Sequence, residues 1–236
     1  MGIDKNEFDQ PIGFPIDNWQ PKKHPPKAVL KGDFCTVEPI DVAKHGRSLF
    51  EANLKAEDDR YWTYLPYGPF TRFVDYEQWI EDTCLGNDPQ FYAIVNNRSG
   101  SSLGVASYLR IQPQVGVIEV GHINFAPELQ QTPAATEAMY LMMKNVFEAL
   151  GYRRYEWKCD DLNEPSKKAA VRLGFKPEGV FRQATMYKGR NRDTAWFSIL
   201  DKEWPKQKRA FEAWLDGSNF DANGQQKHSL QDYLPV

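Results

Sequence analysis

The chain has 236 residues, 41% of them hydrophobic, which is enough for a full core and indicates one domain with short additions at its ends. A formal net charge of −3 provides no basic field for nucleic acid, and three cysteines far apart in sequence indicate neither a disulfide framework nor a metal site. The N-terminus lacks a signal-peptide core and no apolar run reaches membrane-spanning length, so we expect a cytoplasmic protein without nucleic-acid or membrane partners.

The first third of the chain combines an irregular arm with a hairpin and two helices. Residues 1–28 carry five prolines and no periodicity, which is typical of an extended surface arm. Residues 29–39 indicate a strand or tight hairpin, after which Asp41 can cap a helix that runs to about Leu54. A second helix is expected from about Phe73 to Leu85.

An aromatic loop separates these two helices. Residues 58–70 hold Tyr61, Trp62 and Tyr64 among two prolines. So many aromatic rings in one loop either fill the core or line a pocket, and the sequence leaves both alternatives open.

The middle of the chain predicts a mixed sheet. Three strands at 91–96, 103–112 and 117–125 form an antiparallel meander, in which Gly121 can mark a bulge. An amphipathic helix running to Leu150, with Glu137 on its polar face, and a strand at 154–160 then imply a parallel βαβ crossover.

The start of that helix, LQQTPAATEA at 129–138, can bind an anion. Thr132 fits the N-cap and Pro133 the first helical position. The amides of Ala134, Ala135 and Thr136 would then point out of the helix end, where a pyrophosphate would find donors and the positive end of the helix dipole. An ordinary capped helix is the alternative.

The last third closes the sheet. Asn163 can cap a helix that ends at Gly174, and two strands follow at about 177–189 and 193–200. A final helix from Trp204 to Leu215 precedes a polar tail that we expect to be mobile. The predicted units are thus an arm at 1–28, a domain at 29–202 and a helix with a tail at 203–236.

Three segments within residues 29–202 together resemble the GNAT acetyltransferase superfamily, and most closely its RimJ/RimL-type branch. They are EVGHINFAPELQQTPAATEA, LGYRRYEWKCDDLNEPSKKAAVRLGF and KGRNRDTAWFSIL. In the pyrophosphate loop of the family, Q/RxxGxG/A, the three marked positions correspond to Gln130, Pro133 and Ala135. Proline in place of the central glycine removes one possible amide donor.

The resemblance implies an α+β fold: a mixed, mostly antiparallel sheet with one parallel crossover, splayed at its centre and flanked by helices. It also implies acetyl-CoA as co-substrate, bound in the splay, with backbone amides near residues 124–126 polarising the thioester. The coenzyme-binding residues implied are Asn124, Phe125, Ala126, Gln130, Gln131, Thr132, Pro133, Ala134, Ala135, Thr136 and Asn163.

The resemblance also implies catalytic roles. Glu119 would accept the proton of the amine, and Ser166 would protonate the leaving thiolate. Both have structural alternatives: an ion pair for Glu119 and a bond to the helix backbone for Ser166. His122 is a second candidate base, but strand alternation places it opposite Glu119 unless a bulge intervenes. Adjacent strand residues Asp160 and Asp161 face opposite sides and do not predict a catalytic dyad.

In this fold the acceptor pocket lies between the first two helices and the closing hairpin. The substrate-binding candidates are Tyr61, Trp62, Tyr64 and His122. Arg182, Arg190 and Arg192 are possible polar contacts, although exposed hairpin arginines are usually only solvated.

Two functional hypotheses follow. The first is an acetyl-CoA-dependent N-acetyltransferase acting on a small-molecule amine or a protein N-terminus, as a monomer or homodimer. The second is an inactive GNAT-like module that senses CoA or binds a protein partner.

Overall fold

The architecture is that of a mixed eight-stranded sheet with helices on both faces. The structure, a computed structural model, describes residues 4–234. One central pair of neighbouring strands in the sheet is parallel, and the other neighbours are antiparallel. The mixed fold with one parallel crossover, expected from the sequence, is therefore confirmed.

The strands follow the predicted segments closely. Their bounds are β1 Asp4–Lys5, β2 Pro11–Ile12, β3 Leu30–Lys31, β4 Cys35–Pro39, β5 Gln90–Asn96, β6 Ser102–Gln112, β7 Val117–Phe125, β8 Arg154–Asp160, β9 Lys176–Tyr187 and β10 Arg190–Leu200. β1 and β2 form a separate small hairpin within the arm at 1–28, where the sequence predicted no strand. The other eight strands form the sheet in the order β3-β4-β5-β6-β7-β8-β10-β9, with β7 and β8 as the parallel pair.

The helices lie where caps and periodicity predict them. Their bounds are α1 Arg47–Asn53, α2 Phe73–Trp79, α3 Pro133–Lys144, α4 Glu164–Arg172, α5 Trp204–Leu215 and α6 Leu230–Tyr233. A wider π-helical turn precedes α1 and continues both α2 and α3. Asp41 and Asn163 cap their helices as predicted, accepting from Lys44 N and Ser166 N.

Two hydrophobic clusters divide the core between the two faces of the sheet. On the α3–α5 face, Tyr108 and Tyr155 are fully buried with the apolar side of α3. On the α1–α2 face, Phe91 and Val105 pack against both helices and the aromatic loop. Because the central strands β5 to β8 are covered on both faces, their alternation of apolar and polar residues does not separate core from solvent.

The face assigned to Glu137 from the sequence is wrong. Glu137 is buried, and its carboxylate accepts the backbone amides of Asp33, Phe34 and Cys35 at 2.7–2.8 Å. These donors belong to the β3–β4 turn, about a hundred residues away, so helix periodicity alone gives no sign of them. The carboxylate thereby satisfies three turn amides that would otherwise be buried without partners.

Both ends of the chain pack on the domain. In the arm, Trp19 donates to Gln114 O at 2.8 Å, and Lys23 O accepts from the buried Tyr152 hydroxyl. Leu230 of α6 is fully buried, and Trp214 donates to Gln226, so the tail folds back instead of extending as a mobile segment. Between residues 4 and 234 there is no helix with the length and apolar character needed to span a bilayer.

Candidate active site

The parallel pair at the centre of the sheet separates part-way along its length. β7 and β8 are paired from Val117 with Arg154 to Val120 with Trp157, and their ladder stops there, although both strands continue. Beyond this point β7 pairs only with β6, and β8 only with β10. The sheet therefore has an opening at its centre, bounded by the second half of β7 and the end of β8.

A β-bulge in β7 turns His122 toward the α1–α2 face. Ser107 pairs with Gly121 and Val105 with Asn124, so β7 carries one residue more than β6 over this interval. His122 adopts the left-handed conformation, with φ of 51°. The bulge overrides strand alternation, and His122 lies on the same face as Glu119, the exception that the sequence left open.

His122 is held in an aromatic setting. Its ring lies 4.9 Å from the ring of Phe91, and its Nδ1 is 3.2 Å from the Tyr67 hydroxyl. Burial, helped by the positive charges of Arg110 and Arg192, lowers the pKa of His122 to about 4. The imidazole is therefore neutral near pH 7 and has little affinity for a proton, which makes it a poor general base.

Glu119 lies in a buried cluster of charges. One carboxylate oxygen, Oε1, accepts from Arg110 at 2.6 Å, and the other, Oε2, lies 2.8 Å from Lys158 Nζ. Lys158 Nζ is also 2.8 Å from Glu156 Oε2 and lies 3.7 Å from the ring centroid of Trp196. Burial raises the pKa of Glu119, and the charges of Arg110 and Lys158 oppose that rise.

The N-terminus of α3 is more fully capped than expected. Thr132 Oγ1 accepts from Ala135 N at 3.2 Å, and Thr132 O accepts from Thr136 N at 3.4 Å. The expectation of three unpaired amides is therefore wrong for Ala135 and Thr136. Within residues 4–234, the amides of Gln131 and Ala134 have no protein acceptor.

The rest of the anion loop is locally ordered. Gln131 is exposed in the left-handed conformation with φ of 59°, while Gln130 Nε2 donates to Phe125 O at 2.7 Å. The side chain of Ala134 is 3% exposed, so its Cβ faces the core. Ala126 N already donates to Leu103 O at 2.9 Å, so that amide is engaged within the sheet.

Ser166 and Asn163 lie across the opening, on the α3–α5 side. Trp157 Nε1 donates to Ser166 Oγ at 3.0 Å, and Ser166 N donates to Asn163 Oδ1 at 3.1 Å. The Asp160 carboxylate accepts from Tyr187, and that of Asp161 pairs with Lys167, so the two aspartates form no dyad. The opening thus has a hydroxyl on one face of the sheet and the Glu119 carboxylate on the other.

A model of an acetyltransferase (GNAT) domain matches residues 38–176, the segment that contains this opening and the helices around it. The chain belongs to the GNAT acetyltransferase family. GNAT enzymes transfer acetyl groups from acetyl-CoA, and the splayed parallel pair is the fold feature expected of them from the sequence resemblance.

Two solved structures and one curated relative are similar to this GNAT chain. A GCN5-related N-acetyltransferase from Brucella melitensis is 45% identical with a TM-score of 0.90, covering 92% of this chain and 99% of that one. A probable GNAT-family acetyltransferase from Chromobacterium violaceum is 40% identical with a TM-score of 0.76, covering 83% and 98%. The uncharacterized N-acetyltransferase p20 of Bacillus licheniformis is 26% identical over 148 residues, 63% of this chain and 83% of p20.

Part of the aromatic loop of this GNAT domain fills the core, which is one of the two alternatives that the sequence left open. Trp62 is buried against Phe70 at 5.4 Å between ring centroids, while Tyr61 is 39% exposed. Lys188 in the β9–β10 turn donates to Trp62 O at 2.7 Å, and Tyr64 donates to Leu162 O at 3.0 Å. The loop therefore bridges the α1–α2 face from the helices to the closing hairpin.

The ion pair offered as the alternative for Glu119 is present, but the sequence identified neither its partners nor their burial. Lys158 and Glu156 fall at polar positions of an alternating strand, which indicates solvent exposure, yet both are buried. Their ion pairs join β6, β7 and β8, and such partners become neighbours only when the sheet forms. The available signal was a set of three charged residues on strands that become neighbours in the sheet. That signal can be recognised only when the strand order is known.

A depression of about 740 Å³ also opens on the β9–β10 hairpin of this GNAT domain. It is lined by Phe181, Arg182, Gln183, Asn191 and Asp193. None of these residues borders the opening between β7 and β8, so we assign the site to the opening and not to this depression.

Proposed function

We propose that the protein is an acetyl-CoA-dependent N-acetyltransferase of the RimJ/RimL type, which acetylates a primary amine of a small molecule or a protein N-terminus. The observation that supports it most is the opening between β7 and β8, with Glu119 on one face and Ser166 on the other. Such an arrangement suits direct transfer in a ternary complex, because the amine and the thioester can approach from opposite faces.

The residues around the α3 N-terminus fit a pyrophosphate. The amides of Gln131 and Ala134 remain as donors, and the positive end of α3, a helix of 12 residues, adds its dipole. Asn124, Phe125 and Ala126 on the β7 side and Asn163 on the α4 side would contact the pantetheine arm. When bound, acetyl-CoA supplies an activated acetyl group and a thiolate leaving group.

Glu119 is the proposed proton acceptor. Its raised pKa gives the carboxylate more affinity for a proton than a solvated glutamate has, and a nearby water could carry the proton from the amine. The charges of Arg110 and Lys158 oppose that rise, and Arg110 is half exposed at the mouth of the cluster. Ser166 accepts from Trp157 and also lies in hydrogen-bond contact with the Cys159 thiol, and its hydroxyl is the proposed acid for the thiolate.

One observation favours a second candidate, a module without transferase activity. Pro133 has no amide, and the Thr132 cap engages Ala135 N, so the loop presents fewer donors than a glycine-rich cradle. Fewer donors would weaken pyrophosphate binding, and such a module would bind CoA poorly or serve a protein partner.

Calorimetric titration with acetyl-CoA and, separately, CoA decides between the two. We expect micromolar binding of both, followed by thiol release when amine acceptors are added. Gln131→Asp places a carboxylate on the exposed loop and should weaken binding tenfold or more, whereas the neutral isostere Gln131→Asn should not. The buried Ala134 is unsuited to this test, since a charge there would disturb folding. Absence of binding at millimolar ligand would support the second candidate.

A further inference from the structure

β10 presents buried hydrogen-bond donors on the face of the sheet that carries Glu119. Arg192 Nε and Trp196 Nε1 are both buried, and within residues 4–234 neither has a hydrogen-bond partner. The two residues are four apart on one strand and therefore share a face, and Lys158 above the Trp196 ring links that face to Glu119. Unpaired donors are rare in folded proteins and often mark a place where a ligand binds.

Arg192 differs from the three cations around Glu119 and Glu156 because no described carboxylate pairs with it. Arg110 pairs with Glu119, Lys158 with Glu119 and Glu156, and Arg154 with Glu156. No described carboxylate lies within the 4.0 Å of an ion pair to Arg192.

The acidic group nearest along the strand ladder is already engaged. The two oxygens of Asp160 accept from the Tyr187 hydroxyl at 2.7 Å and from Leu162 N at 2.9 Å. Tyr187 also lies beside Arg192, with the guanidinium carbon 6.0 Å from the ring centroid. Both oxygens of Asp160 are therefore engaged, and Asp160 does not pair with Arg192.

The position of Arg192 associates it with the acceptor and not with the coenzyme. The α3 N-terminus and Ser166 lie on the α3–α5 side of the sheet, whereas Arg192 lies on the α1–α2 side. The positive charge of Arg192 helps to lower the pKa of His122, which borders the opening on that same side. A guanidinium with a free edge at this place matches a carboxylate, which it can bind through two parallel N–H groups.

We propose that Arg192 binds a carboxylate carried by the acceptor together with its amine, so that the substrates are small amino acids. The inference rests on the proposed transferase function and narrows its acceptor class. Trp196 Nε1 offers a second donor on the same face.

The test uses matched acceptors, γ-aminobutyrate and 4-aminobutanamide, which differ in one carboxylate. CoA thiol release gives kcat/KM for each with the wild type and with Arg192→Gln. We expect Arg192→Gln to lower kcat/KM for the acid tenfold or more and to change that for the amide less than twofold. For each acceptor, kcat/KM of the variant is divided by kcat/KM of the wild type. The difference in amine pKa between the two acceptors then cancels.

Arg98→Gln is the matched control, since Arg98 is exposed in the β5–β6 turn, and it should leave both ratios unchanged. Equal losses for acid and amide, or a raised KM for acetyl-CoA in Arg192→Gln, would overturn the inference. If Arg192→Gln does not fold, Arg192→Lys, which keeps the charge without the planar fork, must still show an acid-selective loss.

The transferase function and the role of Arg192 can be refuted separately. A wild-type protein that binds acetyl-CoA and acetylates acid and amide equally well would retain the proposed function and refute the role of Arg192. A wild-type protein that does not bind acetyl-CoA would refute both.

Discussion

Replacing Lys158 with methionine should make the stability of the protein fall more steeply with rising pH than that of the wild type, in which burial already raises the pKa of Glu119. The side chains of Lys158, Glu119 and Glu156 are each 8% exposed or less, and one ammonium lies 2.8 Å from both carboxylates. Methionine keeps most of the volume but removes the charge. Arg110 and Arg154 would remain as the partners of the two carboxylates.

The magnitude follows from the cost of removing one partner of a buried ion pair, which is about 3–5 kcal/mol. Arg110 is half exposed and Arg154 also pairs with Glu178, so neither arginine replaces the buried ammonium. That cost applies while both carboxylates are ionised, and protonation of one of them relieves it. In the variant the folded state then binds more protons than the unfolded state near neutral pH, because the carboxyl pKa is raised on folding. Stability must therefore fall as pH rises, by about 1.4 kcal/mol per pH unit for each extra proton bound.

Urea denaturation at pH 5 and pH 8 measures this difference. We expect Lys158→Met to lose about 3–5 kcal/mol relative to wild type at pH 8 and clearly less at pH 5. Lys55→Met is the control, because Lys55 pairs with Glu128 on the surface and such pairs contribute at most about 1 kcal/mol. A loss for Lys158→Met that is equal at both pH values would show that only packing had changed, and the reasoning on the buried charges would be refuted.

Three further predictions concern single side chains. Glu137→Ala removes the acceptor of three turn amides and should destabilise the protein by roughly 3–5 kcal/mol, seen as a lower urea midpoint, whereas an unchanged midpoint would mean that water replaces the carboxylate. Ser166→Ala should lower kcat about tenfold or more with CoA affinity nearly unchanged, and equal losses in kcat and affinity would indicate a binding role instead. Glu119→Gln should remove the acidic limb of the pH profile of kcat/KM. In the wild type the midpoint of this limb should lie above the pKa of a solvated glutamate, because burial raises the pKa of Glu119. An acidic limb that persists in the variant would mean that another residue is the base.

The sequence predicted the elements well because their signals are local. Asp41 and Asn163 cap their helices, because the side-chain oxygen of each accepts from the amide three residues later. This hydrogen bond requires no residue from elsewhere in the sequence. The strands β5 to β8 were placed by alternation and turn residues, within one or two residues of their observed ends.

The site was less predictable because its features depend on neighbours distant in sequence. Glu137 is buried only because the β3–β4 turn provides amides, and Lys158 only because β7 brings Glu119 beside it. His122 faces the site because of a bulge, and a bulge is fixed by the register against β6 and not by the residues of β7 alone. That the guanidinium of Arg192 has no carboxylate partner can likewise be recognised only when the partners of the nearby carboxylates are known.

The opening between β7 and β8 amounts to two sheet edges placed inside a domain. Exposed edges normally invite other chains to pair and aggregate, and proteins shield them at some expense of stability. Here both edges face a gap whose closed end is fixed by the four paired positions up to Val120 and Trp157. Since neighbouring strands lie about 4.8 Å apart, a molecule that pairs with both edges at once must be a single extended chain about as wide as one strand. The opening therefore selects its occupant by backbone shape as well as by charge.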